Sequence, residues 1–130
     1  MRFLHDLHEL SIINNKKLPF LQYISLKIKK AECRIATSNI KNFKVGDELL
    51  LKSKDEFVLC EITYLHFYKS FEDMIFCEKT ENIVPFVDSN EEALRIYKNF
   101  PGSQRVKSMG CCAIGVNPLK SNLKFTINIK

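Results

Sequence analysis

Residues 28–47 read I-K-K-A-E-C-R-I-A-T-S-N-I-K-N-F-K-V-G-D, and this stretch decides which fold we expect. From residue 30 to residue 36 apolar and charged side chains alternate, which is typical of a strand with one buried face. The charged face of that strand would carry Lys30, Glu32 and Arg34. Gly46 and Asp47 form a turn pair directly before an apolar run, so another strand should begin there. The stretch therefore predicts a charged site on one strand and a turn into the next strand of a barrel.

The length and composition fit one globular domain spanning residues 1–130. Hydrophobic residues make up 45% and charged residues 27% of the chain, which is ordinary for a soluble protein. The formal net charge of +5 favours an anionic partner, of which nucleic acid is the commonest. Many proteins with such a charge bind no polyanion, so the charge alone does not decide the function.

The cysteines, at positions 33, 60, 77, 111 and 112, fit neither a disulfide framework nor a zinc site. Their number is odd, and none of them are spaced as C-x-x-C. We expect buried thiols, no metal and no cofactor, in a reducing intracellular compartment, cytoplasmic or nuclear. No apolar run approaches the roughly 18 residues that a membrane-spanning helix needs, and the N-terminus lacks a signal peptide pattern. We therefore expect no membrane partner.

The first half of the chain alternates between strand and helix patterns. Residues 2–13 fit either a strand or a short helix. The later predicted elements are a helix over 18–27, a strand over 30–36, a polar connection over 37–42 and a β-hairpin over 48–68.

The second half mixes helix caps with strands. Ser70 should cap a short helix over 71–76, and the S-x-x-E motif at 89–92 should open a helix that ends near Phe100. The remaining predictions are irregular structure over 81–87, a polar loop over 103–108, a strand over 109–116 ended by Asn117-Pro118, and a last strand over 123–129. Together these elements predict an α+β fold: a small, mostly antiparallel β-barrel with two or three helices packed around it.

The ordered set of motifs resembles the ASCH domain family, a branch of the PUA-like barrels. Members of that family have a helix that ends near G-x-K-x-x-E-x-R, followed by a G-D turn. Here residues 27–34 read K-I-K-K-A-E-C-R, and the G-D pair follows at 46–47. The resemblance covers residues 18–116 and implies a PUA-like barrel. One position departs from the pattern: the family glycine, which permits positive φ and close approach to a ligand, is Lys27 here.

This resemblance implies a protein that binds RNA or a modified nucleotide in a basic cleft. The residues carried over to the ligand-binding site are Lys29, Lys30, Glu32 and Arg34. Arginine offers a fork for a phosphate or a base edge, lysine a point charge, and glutamate an acceptor. Glu32 and Arg34 could instead pair with each other only to hold the corner of the barrel, and the sequence leaves both interpretations open.

Alternatives from other functional classes also remain open. Some ASCH relatives remove the acetyl group from N4-acetylcytidine and others are reported to cleave RNA; in either case Lys29 and Glu32 would be the catalytic residues. The amidohydrolases have a threonine near the position of Glu32, and its absence here disfavours that activity. A protein-interaction module with an exposed terminal strand is the remaining alternative.

Overall fold

The computed structural model describes residues 5–124, and the structural statements below concern those residues. Its strands are β1 (Leu7–Ser11), β2 (Ala31–Ile35), β3 (Glu48–Ser53), β4 (Glu56–Tyr68) and β5 (Cys111–Ser121). Its helices are α1 (Phe20–Ser25), α2 (Ser38–Lys41), α3 (Phe71–Glu78), α4 (Thr80–Ile83), α5 (Asn90–Lys98) and α6 (Val106–Met109), and a 3₁₀ helix spans Ser103–Arg105. The described chain thus has the predicted α+β class, but it has six α-helices where the sequence predicted two or three.

The described strands form one mixed sheet in the order β1-β3-β4-β5-β2, which curls into a half-barrel. β1 runs parallel to β3, whereas the β3–β4, β4–β5 and β5–β2 pairs are antiparallel. β1 and β2 are therefore the edge strands of this sheet. Arg34 on β2 reaches toward β1, and its Nη2 donates a hydrogen bond to the carbonyl of Ser11 at 2.7 Å. We call the gap between β1 and β2, which this bond crosses, the seam.

The predicted hairpin over 48–68 is confirmed as β3 and β4, but β5 is longer than predicted. We expected Asn117-Pro118 to end β5, because proline donates no ladder hydrogen bond. In the structure Pro118 lies opposite Cys60, and the pairing resumes two residues later with Lys120 opposite Leu59. A bulge that leaves one residue unpaired accommodates a proline within a strand, so the strand runs on to Ser121.

Serine hydroxyls begin two of the helices at the predicted positions. The Ser70 side chain accepts from the amide of Asp73 at the start of α3, and Ser89 accepts from the amide of Glu92 at the start of α5. These contacts satisfy amides that have no partner within the helix. α3 runs two residues beyond its predicted end at Phe76, and α4 occupies part of the segment predicted as irregular.

Both segments predicted as polar connections contain short helices. α2 lies within 37–42, where the Thr37 side chain caps it and Ile40 is buried. The 3₁₀ helix and α6 replace the predicted loop over 103–108. A helix this short presents a single buried residue or none, so it has no visible periodicity in the sequence.

The core lies between the sheet and the helices that pack on it. α1 buries Leu21 and Ile24, and α3 buries Met74 and Ile75. Aromatic rings continue this core toward α5, with Phe71 and Tyr97 stacked at 5.8 Å between centroids. The same packing fixes the aromatic side chains that reach the seam.

The predicted last strand over 123–129 lies mostly outside the described residues, which end at residue 124. Leu123 is partly buried against the core. Within the described part of the chain, no helix has the length and apolar character that crossing a membrane requires.

Candidate functional site

A cavity of about 280 Å³ opens at the seam between β1 and β2. One wall is aromatic and is formed by Phe20, Phe71 and Phe100. The other wall carries charges, from Lys29, Glu32 and Arg34. We call this space the seam cavity. Ligand sites in proteins typically combine an apolar lining with a few convergent polar groups, and the seam cavity has that character.

Lys29 lies at the inner end of the charged wall and is 1% exposed. Its Nζ donates to the carbonyls of Ala31 and Ile83, both at 2.6 Å, and lies 3.5 Å from Glu32 Oε1. The same ammonium lies 5.0 Å from the centroid of the Phe20 ring, within range of a cation–π contact. A buried ammonium with these acceptors holds the chain around it in place, and its hydrogen-bonding capacity is taken up by the protein.

Glu32 and Arg34 form the second part of the charged wall. Arg34 Nε donates to Glu32 Oε2 at 2.7 Å, and its Nη2 donates to Ser11 as described above. Glu32 is 6% exposed, whereas the Arg34 side chain remains 26% exposed. Of the charges on this wall, Arg34 is thus the one that solvent and a dissolved ligand reach most readily.

Lys30 differs from the other sequence-predicted site residues. Its side chain is exposed and does not line the seam cavity. Its backbone instead joins elements, because its amide donates to Asn82 and its carbonyl accepts from Val116. The structure therefore brings Lys29, Glu32 and Arg34 together and leaves Lys30 outside.

Lys27 forms the corner between α1 and β2 and adopts a left-handed conformation, with φ of 65°. This is the conformation for which glycine is favoured, and an L-residue there has an unfavourable contact between its Cβ and the backbone. The corner therefore keeps the glycine-type geometry although the residue is lysine, and its exposed side chain points away from the core.

Sequence reasoning missed Tyr97 and Arg105 as lining residues of the seam cavity. Tyr97 lies in the helix that was predicted to end near Phe100, and Arg105 lies in the segment predicted as a polar loop. Neither residue neighbours the charged strand in sequence, and no motif connects them to it. Only the packing of α5 and the 3₁₀ helix against the seam places them there.

A second polar cluster surrounds Glu78, which is 8% exposed at the end of α3. Tyr64 and Tyr68 both donate hydrogen bonds to its carboxylate, and His66 Nδ1 lies 2.8 Å from Oε2. Burial and the adjacent Glu78 carboxylate raise the pKa of both tyrosines, so they remain donors. His66 is half exposed and stacks on Tyr64 at 4.3 Å. The cluster ties the end of α3 to β4.

A third polar cluster gathers at the predicted Gly46-Asp47 turn, where Asp6, His8 and Asp47 each place a potential metal ligand within 4.8 Å of the others. Asp47 is buried and accepts from the amides of Asp6 and Lys44, and its Oδ2 lies 2.7 Å from His8 Nε2. Burial alone would raise the pKa of Asp47, but these hydrogen bonds outweigh it and hold the pKa below its usual value. These contacts explain why the Asp47 carboxylate is buried: it holds the turn in place.

The cysteines are mostly buried, in line with the sequence prediction. Burial raises the pKa of Cys33 to about 11 and those of Cys60, Cys111 and Cys112 to about 12. Such thiols are poor nucleophiles at neutral pH, since the thiolate is the reactive form. Cys77 is exposed, which corrects the expectation that all the thiols are buried.

Comparison with known proteins finds solved structures that are similar to this chain. No protein-family model matches the chain, and no curated protein sequence matches it. The chain is similar to the crystal structure of hypothetical protein PH0355, with 26% identity and a TM-score of 0.76 over 87% of this chain and 99% of that one. It is also similar to the solution NMR structure of protein PF0455 from Pyrococcus furiosus, with 27% identity and a TM-score of 0.68 over 90% of this chain and 99% of that one. Neither name states a function.

Proposed function

We propose that this protein is a PUA-like ASCH domain that binds RNA or a modified nucleotide in the seam cavity. The observation that supports this most is the convergence of Glu32, Arg34 and an aromatic wall on one cavity of about 280 Å³. Aromatic rings stack on nucleobases, and an arginine fork matches a phosphate or a base edge. The motif resemblance at residues 27–34 supports the same assignment.

Within the site, Arg34 is the residue that we assign to ligand binding. Its guanidinium is partly exposed, and its pairing with Glu32 uses Nε while Nη2 contacts Ser11. Lys29 contributes its charge to the cavity, but its ammonium is already bonded to backbone carbonyls. Glu32 is the acceptor of the site, and it is held in place by the two cations beside it.

Exposed cations in the segments that adjoin lining residues of the seam cavity also favour a polyanionic ligand. Lys16 and Lys17 lie in the loop between Ile13 and Phe20, both of which line the cavity. Lys41 follows the lining residue Ile40 on α2. Cations around a cleft of this kind attract phosphates and release counterions when they bind.

The arrangement of Lys29 supports binding over catalysis. A general base or nucleophile must expose a free lone pair to the substrate. Lys29 Nζ instead donates to the carbonyls of Ala31 and Ile83 and approaches Glu32, so the protein itself already occupies its hydrogen-bonding positions. The ribonuclease and amidohydrolase alternatives would need Lys29 to leave these partners.

The test measures RNA binding by fluorescence anisotropy, with labelled single-stranded and duplex RNA at low and high salt. We expect binding at low salt that weakens as salt rises, and a loss of at least about tenfold in Arg34→Ala, since hydrogen bonds to charged groups contribute about 1.5–3 kcal/mol. Lys30→Ala is the matched control, because it removes a neighbouring cation that lies outside the cavity. Absence of binding at low salt, or equal affinity in Arg34→Ala and wild type, would refute the proposal. A circular dichroism spectrum checks that each variant is folded.

A further inference from the structure

The lining of the seam cavity carries more positive than negative charge. Among the described residues that line it, three are cations, Lys29, Arg34 and Arg105, and one is a carboxylate, Glu32. The formal charge of this lining is therefore +2. A cavity lined by one sign of charge concentrates the opposite sign, and a ligand that neutralises this lining carries about two negative charges.

The hydrogen bonds within the lining decide which of these cations a ligand can use. The Lys29 ammonium is bonded to backbone carbonyls and lies 3.5 Å from Glu32 Oε1. Arg34 uses Nε for Glu32 and Nη2 for Ser11, and its Nη1 makes no hydrogen bond within residues 5–124. The Glu32 carboxylate is thus compensated by the cations beside it, and Arg34 retains hydrogen-bonding capacity for a ligand.

The guanidinium of Arg105 is held against the cavity wall by a glycine. Its Nε donates a hydrogen bond to the carbonyl of Gly102 at 3.0 Å, and a Cβ added at Gly102 would lie 2.7 Å from its Nη2. The residues on either side of that glycine, Pro101 and Ser103, line the cavity as Arg105 does. Arg105 is exposed, and within the described part of the chain no carboxylate pairs with it. Both of its Nη groups therefore remain available to a ligand.

We propose that the ligand of the seam cavity is a nucleotide with a terminal phosphate monoester, and that Arg34 and Arg105 bind this phosphate. The inference rests on the proposed function and narrows its ligand class. A phosphate monoester carries a charge of about −1.5 to −2 at pH 7, whereas a phosphodiester within an RNA strand carries about −1. The monoester also has three terminal oxygens, which accept from more than one guanidinium.

The size and the aromatic wall of the cavity agree with a single nucleotide. Its volume of about 280 Å³ is close to the lower end of the range for small-molecule sites, about 300–1,000 Å³. Such a space holds one small ligand and not several residues of an RNA strand. The base would contact the wall formed by Phe20, Phe71 and Phe100, since aromatic rings stack on nucleobases. A free mononucleotide and the phosphorylated end of an RNA both present this chemistry.

The experiment compares wild type, Arg105→Ala and Arg95→Ala by isothermal titration calorimetry. The probes are the 5′- and 3′-monophosphates of the common ribonucleosides, the methyl esters of those monophosphates, and the parent nucleosides. Wild type should bind a monophosphate at least about tenfold more tightly than its methyl ester or its nucleoside. Arg105→Ala should lower the affinity for the monophosphate at least about tenfold and leave that for the nucleoside unchanged. Arg95→Ala is the matched control, because Arg95 is also an exposed arginine but does not line the cavity.

Single-stranded RNA with and without a terminal phosphate, measured by fluorescence anisotropy, distinguishes the two sources of the monoester. Tighter binding of the phosphorylated RNA than of the mononucleotide would support an RNA end as the ligand, and the reverse would support a free nucleotide.

The outcomes also separate this inference from the proposed function. Equal affinity for the RNAs with and without a terminal phosphate, and no preference for monophosphates, would overturn the inference; if binding still depended on Arg34, the proposed function would stand. A monophosphate preference that survives in Arg105→Ala would overturn the role of Arg105. Failure of wild type to bind any probe, with both RNAs included, would overturn the inference and the proposed function together.

Discussion

The buried ammonium of Lys29 should be a main determinant of the stability of this fold, and Lys29→Met tests this directly. Methionine keeps most of the length and volume of the side chain and can still pack against Phe20. The change removes the charge together with both hydrogen bonds of 2.6 Å to Ala31 and Ile83. Glu32 would also lose the cation 3.5 Å from its Oε1.

Removing one partner of a buried ion pair costs about 3–5 kcal/mol, because the remaining charge stays buried without compensation. Arg34 still contacts Glu32 Oε2 at 2.7 Å in this variant, which favours the lower half of that range. The unpaired carbonyls of Ala31 and Ile83 add to the cost, since each loses its partner inside the protein. We therefore expect the free energy of unfolding to fall by about 4 kcal/mol, a large part of the roughly 5–15 kcal/mol typical of a domain.

Urea unfolding followed by circular dichroism measures this difference. Lys30→Met is the control, because Lys30 is exposed and such substitutions change stability by no more than about 0.5 kcal/mol. The double variant Lys29→Met/Glu32→Gln should lose less than the sum of the single variants, since the glutamine leaves no buried charge unpaired. A loss below about 1 kcal/mol in Lys29→Met would refute the assignment of Lys29 as a structural cation.

Further predictions concern the corner, the turn and the thiols. Lys27→Gly should raise the free energy of unfolding by about 1 kcal/mol, because the left-handed backbone with φ of 65° disfavours lysine. Urea unfolding measures this gain. Lys30→Gly is the control, and we expect it to lower the free energy of unfolding. Asp47→Asn should destabilise by about 1–3 kcal/mol at pH 7. The pKa of Asp47 is depressed in the folded protein, so the stability that its carboxylate contributes is lost as the pH falls below the ordinary aspartate pKa near 3.8. In urea titrations at low pH, the difference in free energy of unfolding between wild type and Asp47→Asn should therefore narrow, and a wider difference would contradict this. A thiol reagent at pH 8 should label Cys77 rapidly in the native protein and the remaining cysteines only in denaturant; fast labelling of a second cysteine would contradict the burial described here.

The strands and the capped helices could be predicted from sequence because their signals are local. The hairpin of β3 and β4 follows from apolar runs on either side of a polar turn. Ser70 and Ser89 each begin a helix, because the serine hydroxyl accepts a hydrogen bond from the backbone amide three residues later. α2 and α6 are single turns that bury one residue and none respectively, so they carry no such periodicity. The parallel pairing of β1 with β3 could not be predicted either, since no pattern in residues 2–13 specifies which strand they pair with.

The candidate site also contains some residues that local sequence patterns predict and others that they do not. The alternation over 30–36 placed Glu32 and Arg34 correctly on one side of a strand, because a period of two is fixed by strand geometry. The same alternation grouped Lys30 with them, but β2 begins only at Ala31 and the Lys30 side chain is exposed to solvent. Tyr97 and Arg105 come from elements far away in sequence, so no spacing rule could have added them to the site.

Lys29 shows why a charged motif alone cannot separate a ligand-binding residue from a structural one. In sequence Lys29 and Arg34 are both cations near Glu32, and both are candidates for ligand binding. The difference comes from a residue 54 positions away, Ile83, whose carbonyl accepts a hydrogen bond from the Lys29 ammonium at 2.6 Å. The left-handed corner at Lys27 precedes this contact, and it lets the chain turn so that Lys29 points inward while β2 starts two residues later. Stability and RNA affinity should therefore separate between the two cations: Lys29 variants should unfold more readily, whereas Arg34 variants should mainly lose binding.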